Sequence, residues 1–201
     1  MSDRNPALSA IHVYKSYGEE PVLRDLNLSL PAGGVFCLTA PSGGGKTTLF
    51  RLIMGLEQPD SGQITFPSGS LVSAVFQENR LIEHVNAIQN LRFVTGRRYT
   101  SEELRSIAGE ILPADSLQKP VREFSGGMKR RTALLRALLA PSDLLIFDEP
   151  FTGLDPASKE KAAELIKRYQ SGRLLLFSSH QPEDAAMLGA LTLSLSELQT
   201  P

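Results

Sequence analysis

The sequence predicts an α/β fold on a mostly parallel sheet. Three observations predict it. The runs "VFCLTA", "LLIF" and "RLLLFSS" are continuously apolar, as strands buried on both faces are. Helical stretches separate such runs, which is the strand–helix alternation of a layered α/β domain. Between about Arg80 and Ala140 the period turns mostly helical, so a helical insert interrupts the layer. Residues 1–201 thus read as one domain, with 1–79 and 141–201 as core and 80–140 as an inserted helical subdomain.

The elements follow in order. "IHVYKSY", "LRDLNLSL" and "VFCLTA" are β-rich, and "PAGG" makes a turn between the last two. "GKTTLFRLIMGL" reads as a helix with Leu49, Ile53 and Leu56 on one apolar face. "QPDSGQITF" is a turn leading into a strand, and "SLVSAVFQ" is another strand. Inside the insert, Thr100 with Glu103 fits a capping box. After "DLLIFDEP", a helix runs from about Pro156 to Gln170, capped by Asp155 with Pro156 at its first position. "RLLLFSS" follows, then a helix opening near Pro182, then "LTLSLS".

Composition sets outer limits. A chain of 201 residues with 41% hydrophobic and 21% charged residues can bury a core without staples. A formal net charge of −1 gives no global electrostatic case for nucleic acid or an acidic membrane surface. The single cysteine, Cys37, excludes an internal disulfide and sits in an apolar run, which predicts a buried, inert thiol. No apolar stretch approaches a membrane span. The opening "MSDRNPALSA" lacks a secretory core, so a cytoplasmic location is expected.

Chemistry gathers first in "APSGGGKTT", residues 40–48. It follows G-x-x-x-x-G-K-[ST] except that Ala40 fills the first place. A phosphate cradle needs converging backbone N–H groups with no Cβ in the way, which Gly43, Gly44 and Gly45 supply. Lys46 can reach β- and γ-phosphate oxygens, Thr47 can offer its hydroxyl to Mg²⁺, and the helix start presents its positive end. Ala40 stands where the strand stops, and at negative φ its methyl group costs little. The alternative is a plain Gly-rich turn before a helix. In "LLIFDEP" a buried strand delivers Asp148 and Glu149 to its carboxyl end, where open α/β sheets place ligands. Asp148 can hold Mg²⁺. Glu149, pointing the other way along the strand, could activate a water. An acidic turn that merely ends a strand is the competing reading.

"FSGGMKRR", residues 124–131, together with the loop and "FDEP", resembles the nucleotide-binding subunit of an ATP-binding cassette (ABC) transporter. That family's signature is L-S-G-G-Q. Here Phe124 and Met128 replace its first and last letters, and Ser125, Gly126 and Gly127 stand unchanged. The resemblance runs through nearly the whole chain: Tyr17, the loop at 40–48, Gln77 in "VFQEN", Ser125–Gly127, Asp148–Glu149, "GLDP" at 153–156 and His180 in "SSH".

The resemblance implies a P-loop NTPase (RecA-like) core with an N-terminal antiparallel β part and an inserted helical subdomain. ATP and Mg²⁺ are the implied ligands, with Pro41, Ser42, Gly43, Gly44, Gly45, Lys46, Thr47 and Thr48 around the phosphates. Tyr17 would stack on adenine; packing at a strand edge is its alternative. Gln77 would touch Mg²⁺ and the attacking water, and Thr47 and Asp148 would complete the metal site. Glu149, His180, Gln77 and Lys46 would carry catalysis, with His180 against the γ-phosphate. Ser125, Gly126, Gly127 and Asp155 would contact the nucleotide of a second subunit in an ATP-dependent head-to-tail dimer. Lys129, Arg130, Arg131 and Arg136 read as a solvated face or interface charges.

Within the family, "SGGM" with a basic run and "VFQ" is most similar to nitrate, sulfonate and taurine importers. That group's proline- and tryptophan-containing stretch after the Gln is missing, since the chain has no tryptophan. The chain ends soon after His180, so no regulatory C-terminal domain is expected. The implied partners are integral-membrane permease subunits, and a solute-binding protein in the case of import. They would hold the chain at the inner face of the membrane. The competing readings are a soluble ABC ATPase without a transport role, an exporter ATPase and a P-loop kinase.

Overall fold

The structure, a computed structural model, describes residues 7–200; residues 1–6 of the opening stretch read above lie outside them. β1 (Leu8–Tyr17) and β2 (Glu20–Leu30) form an antiparallel hairpin that turns at Gly18, and β4 (Ser61–Thr65) pairs antiparallel on the other side of β1. Between β2 and β4 the chain enters a second sheet through β3 (Val35–Thr39) and then forms α1 (Lys46–Ile53). That sheet also holds β5 (Val72–Val75), β6 (Leu144–Phe147), β7 (Leu174–Ser178) and β8 (Leu191–Ser194). Its order is β5-β6-β7-β3-β8, and every neighbouring pair is parallel.

The continuous apolar runs are buried on both faces because each face has its own cover. In β6, Leu144 and Ile146 join Phe36, Leu38, Leu49 and Phe50 in a core under the antiparallel sheet and α1. Leu145 and Phe147 face the opposite core, built from the remaining helices. Those helices are α2 (Ala87–Thr95), α3 (Ser101–Gly109), α4 (Gly126–Leu139), α5 (Pro156–Gln170) and α6 (Pro182–Leu188). α4 packs on α2, on β5 and on α5, so it joins the helices of the insert to the sheet.

The predicted box at α3 is present: Glu103 N–H donates to Thr100 Oγ1 (3.1 Å) and Thr100 N–H donates to Glu103 Oε2 (2.6 Å). A second box, Asn86 with Gln89, opens α2 and was not anticipated. One helix face differs from expectation. Leu49 and Ile53 are buried, but α1 stops at Ile53, the chain turns at Gly55 with φ of +67°, and Leu56 is 54% exposed. The left-handed turn carries Leu56 off the apolar stripe.

Candidate functional site

Four parallel strands end at one edge, and each contributes a loop. β3 leads into 40–45, β5 into Gln77, β6 into Asp148 and Glu149, and β7 into Ser179 and His180. Gly45 caps α1 at φ of +92°, and a Cβ there would come within 3.0 Å of Val22 Cγ1 and 3.1 Å of Leu23 Cδ2. The left-handed φ favours glycine, and a Cβ would in addition have to press those two side chains back by a few tenths of an ångström. Gly44 leaves room for Ala40, whose Cβ stands 3.0 Å from where a Gly44 Cβ would be. Ala40 is absent from the positive-φ residues, so the methyl group at the start of the loop is unstrained.

Pro41, Ser42 and Gly43 form the exposed tip, and Thr47 and Thr48 are half-buried on the first turn. α1 has no side-chain N-cap and no acidic residue in its first turn, so its positive end is open to an anion. Lys46 is buried and turns back on the loop, donating to the carbonyls of Ala40 (2.8 Å) and Pro41 (3.3 Å).

Thr47 Oγ1 donates to Asp148 Oδ2 at 2.8 Å, and Gln77 borders the same cleft with its side chain exposed. A hydroxyl beside one carboxylate is a hard-oxygen donor set. It fits Mg²⁺, which takes one or two carboxylate or hydroxyl ligands and fills its sphere with phosphates and water.

Glu149 sits outside the strand, and its direction comes from a left-handed turn at φ of +50° rather than from strand alternation. Such a conformation costs roughly 1–3 kcal/mol for a residue with a side chain. Ser178, fully buried at the end of β7, helps hold it: its hydroxyl accepts from Glu149 N–H (2.9 Å) and donates to Asp148 Oδ1 (2.6 Å). The Glu149 carboxylate receives Thr152 Oγ1 (3.0 Å) on one oxygen, and His180 Nε2 lies 2.9 Å from the other. That contact places the histidine proton on Nε2.

The loop carrying His180 is fastened from below. Ser179 Oγ donates to Asp184 Oδ2 (2.5 Å), Asp184 pairs with Lys159, and Lys159 donates to Gln181 Oε1 (2.6 Å).

The residues expected to serve a second subunit form their own cluster. Ser125 caps α4, its Oγ accepting from Met128 N–H at 3.3 Å, and Phe124 is buried beneath. Gly127 approaches the Gly153 carbonyl. Asp155 caps α5 as predicted, accepting from Ser158 N–H (3.0 Å) and Ser158 Oγ (2.6 Å), while Arg131 donates to Ser158 Oγ (2.5 Å). The Ser158 bonds hold the Asp155 carboxyl below its ordinary pKa. Tyr17 stands at the end of β1, half exposed, with its hydroxyl on Glu57 and Lys15 Nζ 5.7 Å from its ring centre.

The basic run is not a solvated face. Arg130 is 4% exposed and grips the carbonyls of both acidic residues; Arg131 binds Ser158; Lys129 pairs with Glu83 at 3.0 Å; Arg136 is half-buried. Burial pushes the Arg130 pKa down, with Asp148 and Glu149 pulling it up. Helical spacing carried the signal for Arg130, because Leu134 and Leu138 lie four and eight residues on, along the buried face. For Ser178 the signal was a hydroxyl closing an otherwise apolar strand.

Comparison with known proteins bears on the family and the fold. The family model described as ABC transporter matches residues 23–152. The chain is 32% identical to an aliphatic sulfonates import ATP-binding protein, SsuB 1 of Paracoccus denitrificans, over 96% of this chain and 81% of that protein. It is 37% identical to the Nod factor export ATP-binding protein I of Cupriavidus pinatubonensis, over 91% of this chain and 62% of that one. A dimeric bacterial ABC transporter cassette superposes with a TM-score of 0.79 at 25% identity, covering 94% of each chain. A dimeric cassette in a post-hydrolysis state, bound to ADP and Pi, superposes at 0.77, again at 25% identity and covering 90% of each chain.

Proposed function

The chain belongs to the ABC transporter family, and on that premise we propose that it is the subunit that binds and hydrolyses ATP to drive a separate membrane permease. One observation carries the reading. The open positive end of α1 shares a sheet edge with a carboxylate, Glu149, that is held out of its strand and faces His180 at 2.9 Å.

On binding ATP, Lys46 leaves the Ala40 and Pro41 carbonyls for the β- and γ-phosphates, and the N–H groups of the loop and first turn donate to them. The Tyr17 ring offers a face to adenine. Thr47, Asp148 and Gln77 would hold Mg²⁺, which supplies charge neutralisation at the phosphates. Glu149 takes a proton from water as the water oxygen bonds to the γ-phosphorus and the bond to the β–γ bridging oxygen breaks, leaving ADP and phosphate. His180 fixes the carboxylate through its Nε2–H while ATP is absent, and on binding it would turn that N–H from Glu149 toward the terminal phosphate, freeing the carboxylate for the water. Ser125, Gly126, Gly127 and Asp155 complete the site of a second copy paired head to tail. The dimeric form of one cassette of similar fold, seen in both of its structures, supports that arrangement.

Among the described residues no helix is long and apolar enough to cross a membrane; the attachment proposed is through the permease. A groove between the insert and the sheet, lined by Leu56, Phe76, Phe93 and Arg136, suits its cytoplasmic helices; Phe93 is 77% exposed there. The location proposed is the inner face of the cell membrane. Import of a small anion such as a sulfonate is the finer reading, supported by SsuB relatives at 32% and 34% identity, and a solute-binding protein would then join the complex. The 37% identity to a Nod factor exporter subunit favours export as a second reading.

The test is Glu149→Gln with Mg-ATP, followed by light scattering. The variant should bind ATP, hydrolyse it very slowly and accumulate as a dimer that Ser125→Arg prevents. A monomer turning over at the parental rate overturns the proposal. Solute flux in vesicles containing the copurified permease separates import from export.

A further inference from the structure

Arg130 is an expensive residue to place where it lies. It occupies the second turn of α4 on the face shared with Leu134 and Leu138 and is 4% exposed. Removing a cation from water costs several kcal/mol unless its surroundings repay it, and an apolar side chain would fill this face. The surroundings are carbonyls rather than a carboxylate. A guanidinium has five N–H donors. Here Nε donates to Pro150 (3.2 Å), one terminal nitrogen to Phe76 and Gln77 (3.4 Å for the latter), and the other to Asp148 (2.7 Å) and Glu149.

These carbonyls belong to two different loops at the sheet edge, one carrying Gln77 and one carrying Asp148 and Glu149. Arg130 itself stands on the helix that Ser125 caps. The distance along that helix is short, about 1.5 Å of rise per residue, and a regular helix moves as a rod. Three functional segments from separate parts of the chain therefore meet at one side chain. The left-handed turn at Glu149 is held on one side by Ser178 and on the other by Arg130.

We propose that Arg130 is a positioning residue that couples the two nucleotide sites of the dimer. It joins the amino end of α4, the Gln77 loop and the Asp148–Glu149 turn into one body. Docking of Ser125–Gly127 on the nucleotide held by the second subunit then sets Gln77 and Glu149 in the arginine's own subunit. This inference rests on the dimeric ATPase reading above.

The experiment compares the parent chain with Arg130→Gln and with Arg130→Lys. The lysine keeps the charge but has three donors on one nitrogen, too few and too close together to span both loops. Thermal melting, ATP affinity of the isolated chain and the ATP dependence of steady-state hydrolysis are measured for each. In either variant that melts cooperatively, affinity should stay within about twofold. kcat should fall roughly a hundredfold, the scale of a 1 Å misplacement, and the sigmoidal dependence on ATP should flatten toward a Hill coefficient of one. Should the glutamine variant fail to fold, the lysine variant decides.

A folded variant with parental kcat and parental sigmoidality overturns the coupling. So does a fall in kcat with sigmoidality intact, which makes Arg130 a local support only. If the parent chain itself neither dimerises with Mg-ATP nor hydrolyses it cooperatively, the dimeric reading falls and the coupling with it. If the parent does both and the variants match it, the coupling alone falls.

Discussion

Ser178→Ala offers the sharpest test of how the Glu149 turn is built. The hydroxyl is fully buried, donates to Asp148 Oδ1 at 2.6 Å and accepts from Glu149 N–H at 2.9 Å. A hydrogen bond to a charged group contributes about 1.5–3 kcal/mol, and an orphaned buried donor costs about 1–3 kcal/mol. Asp148 keeps Thr47 on its other oxygen, so its own loss is partial. Relaxation of the left-handed Glu149 turn returns some of its strain. The net expectation is a destabilisation of about 3 kcal/mol. At a urea slope near the upper end of the usual range, about 3 kcal/mol/M, the midpoint falls by roughly 1 M. Turnover should fall at least about tenfold, because Glu149 loses the bond that fixes its main chain. Urea unfolding followed by circular dichroism reads the first quantity, and phosphate release reads the second. A midpoint within about 0.2 M of the parent, with unchanged turnover, would refute the view that Ser178 holds the turn.

Ala40→Gly should leave ATP affinity unchanged in a titration and cost roughly 0.5–1 kcal/mol through unfolded-chain entropy. A large gain in affinity would mean that the methyl group strains the loop. Lys159→Met leaves Asp184 buried without its cation and should cost about 3–5 kcal/mol, seen as a lower melting temperature. Replacing Asp184 by leucine in the same chain should recover most of that loss, and a double variant no more stable than the single one would count against the ion pair. Burial pushes the Cys37 thiol up to about 11, so a thiol-specific disulfide reagent at pH 8 should react only after unfolding. Rapid reaction of the native chain would place Cys37 outside the core.

What could be read in the residue order was what is local along the chain. The glycines of the loop, the T-x-x-E box at α3 and Asp155 before Pro156 are each defined within a few positions, and each forms as read. The apolar strands were legible because a parallel sheet covered on both sides needs no alternation. The failures share a cause. Leu56 fits the apolar period, but the left-handed turn at Gly55 removes it from the helix. The direction of Glu149 depends on Ser178, 29 residues on, and on Arg130, from a helix earlier in the chain. Alternation assumes that a strand continues, and here it has ended two residues before Glu149, at Phe147. Charge pattern misplaced Arg130 because solvation is the default for a cation, and only tertiary carbonyls make its burial tolerable.

The same contrast underlies the expectation that the altered first letter of the loop matters little. Space in the loop is tightest where a Cβ would press on its neighbours: at Gly45, against Val22 and Leu23, and at Gly44, against Ala40 and the Pro41 carbonyl. Ala40 is on the other side of that restriction, since its own Cβ occupies the space that Gly44 leaves open. A glycine at position 40 would relax a contact without adding an N–H group to the site, whereas alanine at 45 would meet both steric conflict and a φ of +92°. The need for glycine therefore lies at the positions packed against the hairpin β1–β2 and the loop's own start, and the residue where β3 ends carries a methyl group without strain.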